Sequence, residues 1–129
     1  MSGKYLLDTN IVIALFANDS AVVSEIAKAR DISIPATVIG ELFYGANKSG
    51  RPQDNSQRID EFVSDNVIIH CDGETARFYG KIKNDLRKKG HPIPENDIWI
   101  AAAAFQHNLT LISRDKHFAE IDGLSLARW

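Results

Sequence analysis

Asp8, Glu41, Asp97 and Asp115 are the residues of this chain whose type and position could do chemistry together. Asp97 poses the sharpest question, because it stands directly before residues 98–105, a run of eight apolar residues with no polar break. A charge drawn out of water beside a buried run costs several kcal/mol unless something pairs with it. Each acid also has an ordinary structural reading. Asp8 or Asn10 can cap a helix beginning near Ile11, Asp97 can favour the positive end of its own helix, worth about 0.3–1 kcal/mol, and Asp115 suits the first turn of a short helix. Glu41 lies off the apolar stripe of Val38, Ile39, Leu42, Phe43 and Ala46, so on its own it reads as a solvated surface acid. Gathered at one place, the four demand a counter-charge: two carboxylates about 4 Å apart repel by on the order of 4 kcal/mol at an effective dielectric near 20. Protonation, an arginine or a metal ion would offset this, and Arg114 is the arginine immediately beside the set. An all-oxygen donor set suits a hard divalent ion, Mg²⁺ or Mn²⁺. The four His and one Cys show no paired spacing of the kind zinc sites use.

The elements that must bring these acids together are legible as an alternation. Short apolar runs at residues 5–7, 32–34, 67–69, 109–112 and 124–126 have strand length, and several are rich in Val and Ile. Helical segments lie between them, over residues 10–16 and 20–30, then 36–47 and 57–64, then 74–89 and 97–107, with a short helix at 116–121 before the last strand. The pattern implies an α/β fold, a small, mostly parallel sheet with helices on both faces. Two polar, Gly- and Pro-bearing stretches, residues 47–56 and 89–96, read as loops within one domain. Pro92 and Pro94 stop the preceding chain, and Asn96 is placed to cap the helix that follows.

In an open parallel sheet, ligands bind at the carboxyl ends of the strands. Asp8 follows the first strand directly, and Asp115 follows the fourth after Ser113 and Arg114. Glu41 lies in the second turn of the helix after the second strand. Asp97 opens the helix that leads into the fourth strand, and a helix running antiparallel to the strands starts at their carboxyl edge. All four can converge on that edge.

With 129 residues, 44% of them hydrophobic, the chain is expected to form one domain over 1–129 around one core. Its longest apolar run, of eight residues, is far below the roughly 20 that a membrane helix needs. Asp8 also interrupts the N-terminal apolar run too early for a signal peptide. The lone Cys71 suits a reducing compartment, so the expectation is a soluble, cytoplasmic protein. A formal charge of −2 excludes nucleic-acid binding as a simple polycation, but not binding through a bound cation.

Five stretches, YLLDTNIVIALF, IGELFYGA, NDIWIAAAA, LISRDKHF and IDGLSLARW, follow one another from Tyr5 to Trp129. In this order and spacing the chain resembles the PIN-domain ribonucleases, in particular the VapC-like toxins of bacterial toxin–antitoxin modules. The resemblance implies a three-layer α/β/α sandwich and a Mg²⁺- or Mn²⁺-dependent endoribonuclease. Carried over by position, Asp8, Glu41, Asp97 and Asp115 match the acidic metal-binding quartet, for one ion or two. Thr9 and Asn10 match the small polar residues after the first Asp, and Ser113 stands where a Thr or Ser supports the site. A cognate antitoxin, whose amphipathic segment blocks the site, and a homodimer are the partners the resemblance implies.

Such a site would hydrolyse RNA with water and leave a 5′-phosphate and a 3′-hydroxyl. The rival chemistry, attack by the 2′-hydroxyl with a pair of histidines, finds no obvious pair among His70, His91, His107 and His117. RNA would be gripped by Lys81, Lys83, Arg87, Lys88 and Lys89 on one helix and by Lys48 and Arg51 in the first polar loop. The alternative for the helical cluster is a solvated face whose cations suit a helix C-terminus. Phe78, Tyr79 and Trp99 read as core or interface residues in preference to base-stacking ones. Two other functions fit the pattern less well. A phosphoacceptor signalling domain expects adjacent acids after the first strand and a Lys after the last, which this chain lacks, and a catalytically silent PIN-like RNA-binding module is at odds with an intact quartet.

Overall fold

The first strand, β1 (Lys4–Leu7), runs into a helix within two residues, because Asp8 ends the strand and caps the helix with the same side chain. The computed structural model describes residues 4–129, so the expected domain start at residue 1 lies outside the described residues. Helices α1 (Thr9–Phe16) and α2 (Ser20–Lys28) lead to β2 (Asp31–Pro35), and α3 (Ala36–Asn47) and α4 (Pro52–Asp65) lead to β3 (Val67–Ile69). Then α5 (Gly73–Lys89) and α6 (Glu95–Gln106) precede β4 (Thr110–Ile112), and a 3₁₀ turn (Lys116–Glu120) precedes β5 (Leu126–Ala127).

All strand pairings are parallel, in the order β3-β2-β1-β4-β5. Tyr5 lies opposite Ile32 on one side and Thr110 on the other, so β1 is central. The chain steps from β1 through β2 to β3 in one direction and then crosses to β4 on the other side. Right-handed crossovers in opposite directions put α1–α4 on one face and α5 and α6 on the other, which gives the three layers expected. The reversal also opens a crevice between the carboxyl ends of β1 and β4, the position where open α/β sheets bind ligands.

The core explains why α6 carries its apolar run. Ile98, Ile100 and Ala101–Ala104 are all buried, as are Leu6, Leu7, Ile34, Leu111 and Ile112 of the sheet. The small alanines let α6 lie close to its neighbours, while Ile82 and Leu86 of α5 supply bulk from outside. Among the described residues no helix is long and apolar enough to cross a membrane.

Several boundaries differ from expectation. The polar stretch 47–56 is only partly a loop, because α4 starts at Pro52. Proline at the first helical position loses no hydrogen bond, and Asp54 complements the positive end of the helix. The helix expected from Asp97 begins two residues earlier, with Pro94 at the cap position and no side-chain cap. Asn96 is therefore not the cap but an exposed residue of the first turn. The last strand lies at Leu126–Ala127, later than the run 124–126.

Candidate active site

The crevice at the carboxyl ends of β1 and β4 gathers the four acids, each held by a different element. Asp8, 5% exposed, accepts hydrogen bonds at both carboxylate oxygens, from the Thr9 amide at 2.8 Å and from Ser113 Oγ at 2.6 Å. The Thr9 hydroxyl donates to Glu41 Oε1 at 2.8 Å and so ties α3 to the start of α1. Ser113 Oγ also accepts from the Asp115 amide at 2.9 Å, and Asn10 Oδ1 accepts from the Arg114 amide at 3.2 Å. The turn after β4 is thus bound to the turn after β1. Thr9 and Ser113 thus orient the carboxylates of Asp8 and Glu41, and Asn10 ties the two turns together.

Asp97, 9% exposed, lies on the first turn of α6 and faces the same crevice. Its Oδ2 is 3.1 Å from His117 Nδ1, and the same nitrogen is 3.1 Å from Asp115 Oδ1. Asp115 caps the 3₁₀ turn by accepting from the His117 amide at 2.9 Å. Asp97, Asp115 and His117 offer one ligand atom each within 4.8 Å of one another. His117 is the residue that sequence reasoning left out of the site. Its one signal was position, two residues past an Asp that caps a short turn, where the cap draws the amide and ring back over the carboxylate.

Electrostatics agree with the geometry. Burial raises the Asp8 carboxyl above its ordinary value, against the lowering effect of the Ser113 and Thr9 hydrogen bonds, and the charges of Glu41 and Asp115 raise it further. Burial also pushes Asp97 up to about 6; the His117 hydrogen bond works the other way, and Asp115 and Asp8 add to the rise. Arg114 does not relieve this repulsion. Its guanidinium turns away to Asp19 Oδ2 at 3.0 Å and the Trp129 carbonyl at 2.8 Å, where it holds the Asp19 carboxyl below the ordinary range. Among the described residues the only ion pairs of the quartet are with His117. Carboxylates held together with both oxygens of Asp8 oriented, and without a Lys or Arg between them, fit a divalent metal ion. The donor set passes that test with oxygen from every element.

A PIN domain family model matches residues 5–124. The chain belongs to the PIN domain family. This PIN domain is 35% identical over 130 residues to ribonuclease VapC2 of Rickettsia felis, with 97% of each chain covered. It is 32% identical over 129 residues to the tRNA(fMet)-specific endonuclease VapC of Shigella flexneri, with 98% of each covered. Among solved structures it resembles VapBC2 of Rickettsia felis bound to a promoter DNA fragment, with a TM-score of 0.87 and 34% identity over 97% of this chain and 98% of that one. DNA-bound VapBC of Salmonella typhimurium superposes with a TM-score of 0.89 at 28% identity, over 100% of this chain and 99% of that one. The VapC-like resemblance of the five motifs is borne out.

The basic residues of this PIN domain that were expected to grip RNA are divided between two places. Lys81 pairs with Asp85 at 3.0 Å, Lys83 reaches Glu95 and Tyr79, Arg87 donates to Asn84 at 3.3 Å, and Lys88 and Lys89 end the same helix. Lys89 is drawn to the turn after the 3₁₀ segment, by the Glu120 carbonyl and Asp122. Lys48 lies over the Tyr44 ring and Arg51 precedes α4. The aromatics are engaged with one another: Tyr79 stacks on Trp99 at 4.1 Å and Phe78 on Phe105 at 6.2 Å. His91 pairs with Glu120, and His107 ends α6, so neither joins His117 in a catalytic pair.

Proposed function

We propose that this chain is a Mg²⁺-dependent endoribonuclease, with Mn²⁺ as an alternative ion, and the toxin of a toxin–antitoxin pair acting as one nuclease domain over residues 1–129. The observation that carries this reading is the convergence of Asp8, Glu41, Asp97 and Asp115 on the β1/β4 crevice. That convergence occurs in a chain similar along nearly its whole length to proteins named ribonucleases. A divalent cation held by the quartet supplies neutralisation of phosphate charge and a lowered pKa for the attacking water. The protein's own part is positioning. Asp8 is clamped by Thr9 and Ser113, Glu41 is aimed by the Thr9 hydroxyl, and Asp97 rides on a helix locked into the core, so the acids keep their spacing as RNA enters. Lys48, Arg51, Lys81, Lys83, Arg87 and Lys88 are proposed to steer the phosphate backbone towards that edge.

The partners follow from the same reading. A groove beside Glu41, lined by Ile13, Phe16, Leu42 and Ile59, exposes Ile13 to more than half of its full extent and suits an apolar antitoxin segment that covers the site. A homodimer and a cytoplasmic location, where RNA is at hand, complete the proposal.

The test is digestion of total RNA by purified protein with Mg²⁺, with excess EDTA, and with Asp8→Ala. Cleavage only with metal and intact Asp8, with 5′-phosphate and 3′-hydroxyl ends, is expected. A 2′,3′-cyclic phosphate product, or full activity in EDTA, refutes the metal mechanism. RNA binding without cleavage under all metal conditions would make the domain a silent RNA-binding module.

A further inference from the structure

Resting on the metal-nuclease reading, we infer that His117 is itself a ligand to the bound cation through Nδ1. It would give the Asp97–Asp115 side of the site a nitrogen donor and a preference for Mn²⁺ over Mg²⁺.

The spacing carries the inference. His117 Nδ1 stands 3.1 Å from Asp97 Oδ2 and 3.1 Å from Asp115 Oδ1. Neighbouring ligands of an octahedral ion, each about 2.1 Å from it, lie about 3 Å apart, so Nδ1 already stands at the separation one ion requires from each of the two carboxylates, and the three residues offer ligand atoms within 4.8 Å of one another. A single N–H cannot point along both lines at once. A neutral imidazole carrying its hydrogen on Nε2 presents the Nδ1 lone pair to the space between the two carboxylates, and a cation there satisfies all three donors together.

The ring owes this position to the fold. Asp115 fixes the His117 amide at 2.9 Å, and the next residue, Phe118, is fully buried, so the turn is anchored on both sides of the histidine. The contrast with the other acids is chemical. Asp8 and Glu41 are oriented by neutral donors, Thr9 and Ser113, which leave lone pairs free for metal. Among the described residues, Asp97 and Asp115 are joined only through an imidazole. Imidazole nitrogen binds Mn²⁺ and later transition metals in preference to Mg²⁺, which takes oxygen almost alone. The side chain is half exposed, so replacing it leaves no cavity in the core.

The experiment uses the full chain loaded with Mn²⁺ alone and pulsed electron spin-echo spectroscopy, which detects nitrogen bound directly to the ion. Nitrogen coupling is expected in the wild type and its loss in His117→Gln. Calorimetric titration should show Mn²⁺ affinity in that variant reduced by roughly tenfold or more and Mg²⁺ affinity by less than about threefold. The wild-type spectrum needs no variant: Mn²⁺ bound with no nitrogen coupling overturns the role of His117 and leaves the acidic metal site standing. Coupling that survives in His117→Gln overturns it equally. A wild type that binds neither ion refutes the metal-nuclease reading itself, a result distinct from both.

Discussion

Replacing Asp97 by Asn tests whether the acids are held together against their own repulsion. The folded carboxyl titrates at about 6 against an ordinary value of 3.8. Because the folded value is the higher one, the contribution of Asp97 to stability is fully present below about 3.8 and is lost as pH rises through about 6. Keeping it ionised in the metal-free protein therefore costs about 3 kcal/mol at pH 8 and about half of that at pH 5. Asparagine removes the charge at nearly constant shape. Weakening the hydrogen bond to His117 takes back about 1–1.5 kcal/mol. The net expectation is a variant more stable than wild type by about 1.5–2 kcal/mol at pH 8, or roughly 5–8 °C in Tm for a chain of this size. The advantage shrinks towards pH 5. Thermal melts in EDTA at the two pH values measure it, and a repeat in excess Mg²⁺ should reverse the order. At a metal concentration of 100 Kd the wild type gains about 2.7 kcal/mol that the variant largely forgoes. A variant that melts below wild type in EDTA at pH 8 refutes the reasoning and makes Asp97 an ordinary residue of a helix start. RNA cleavage is lost in the variant if Asp97 helps to hold the metal, and a variant that cuts like wild type removes it from the site.

Two further substitutions probe the support and the approach. Ser113→Ala removes a donor to Asp8 and the acceptor of the Asp115 amide at a position 4% exposed. Urea melts should show a loss of about 2–3 kcal/mol, which Ser113→Thr restores in large part. Lys88→Ala should weaken RNA binding alike for all sequences and lower the salt slope by about one phosphate contact. An unchanged slope assigns that end of α5 to plain solvation.

The alternation of strands and helices was legible because it is written in local periods of two and 3.6, and the placement of Asp8 and Asp115 just past strands came with it. Burial of the run after Asp97 was equally readable, since eight apolar residues in a row have nowhere else to go. Local signals misled where two of them competed. Gly50 and the polar residues around it hid the start of α4 at Pro52, and Asn96 looked like a cap in a stretch where Pro94 had already taken that position.

What the sequence by itself determined is the set of elements and the edge on which four acids could meet. Only the tertiary structure decided how they meet. The bond from Ser113 to Asp8 spans 105 residues of chain, and the Thr9 hydroxyl finds Glu41 across 32. The strand order that opens the crevice beside β1, the turning of Arg114 towards Asp19, and the insertion of His117 between Asp97 and Asp115 arise in the same way. Each depends on distances set by packing the sheet and both helical layers at once, and no preference within a short stretch of chain encodes such a distance.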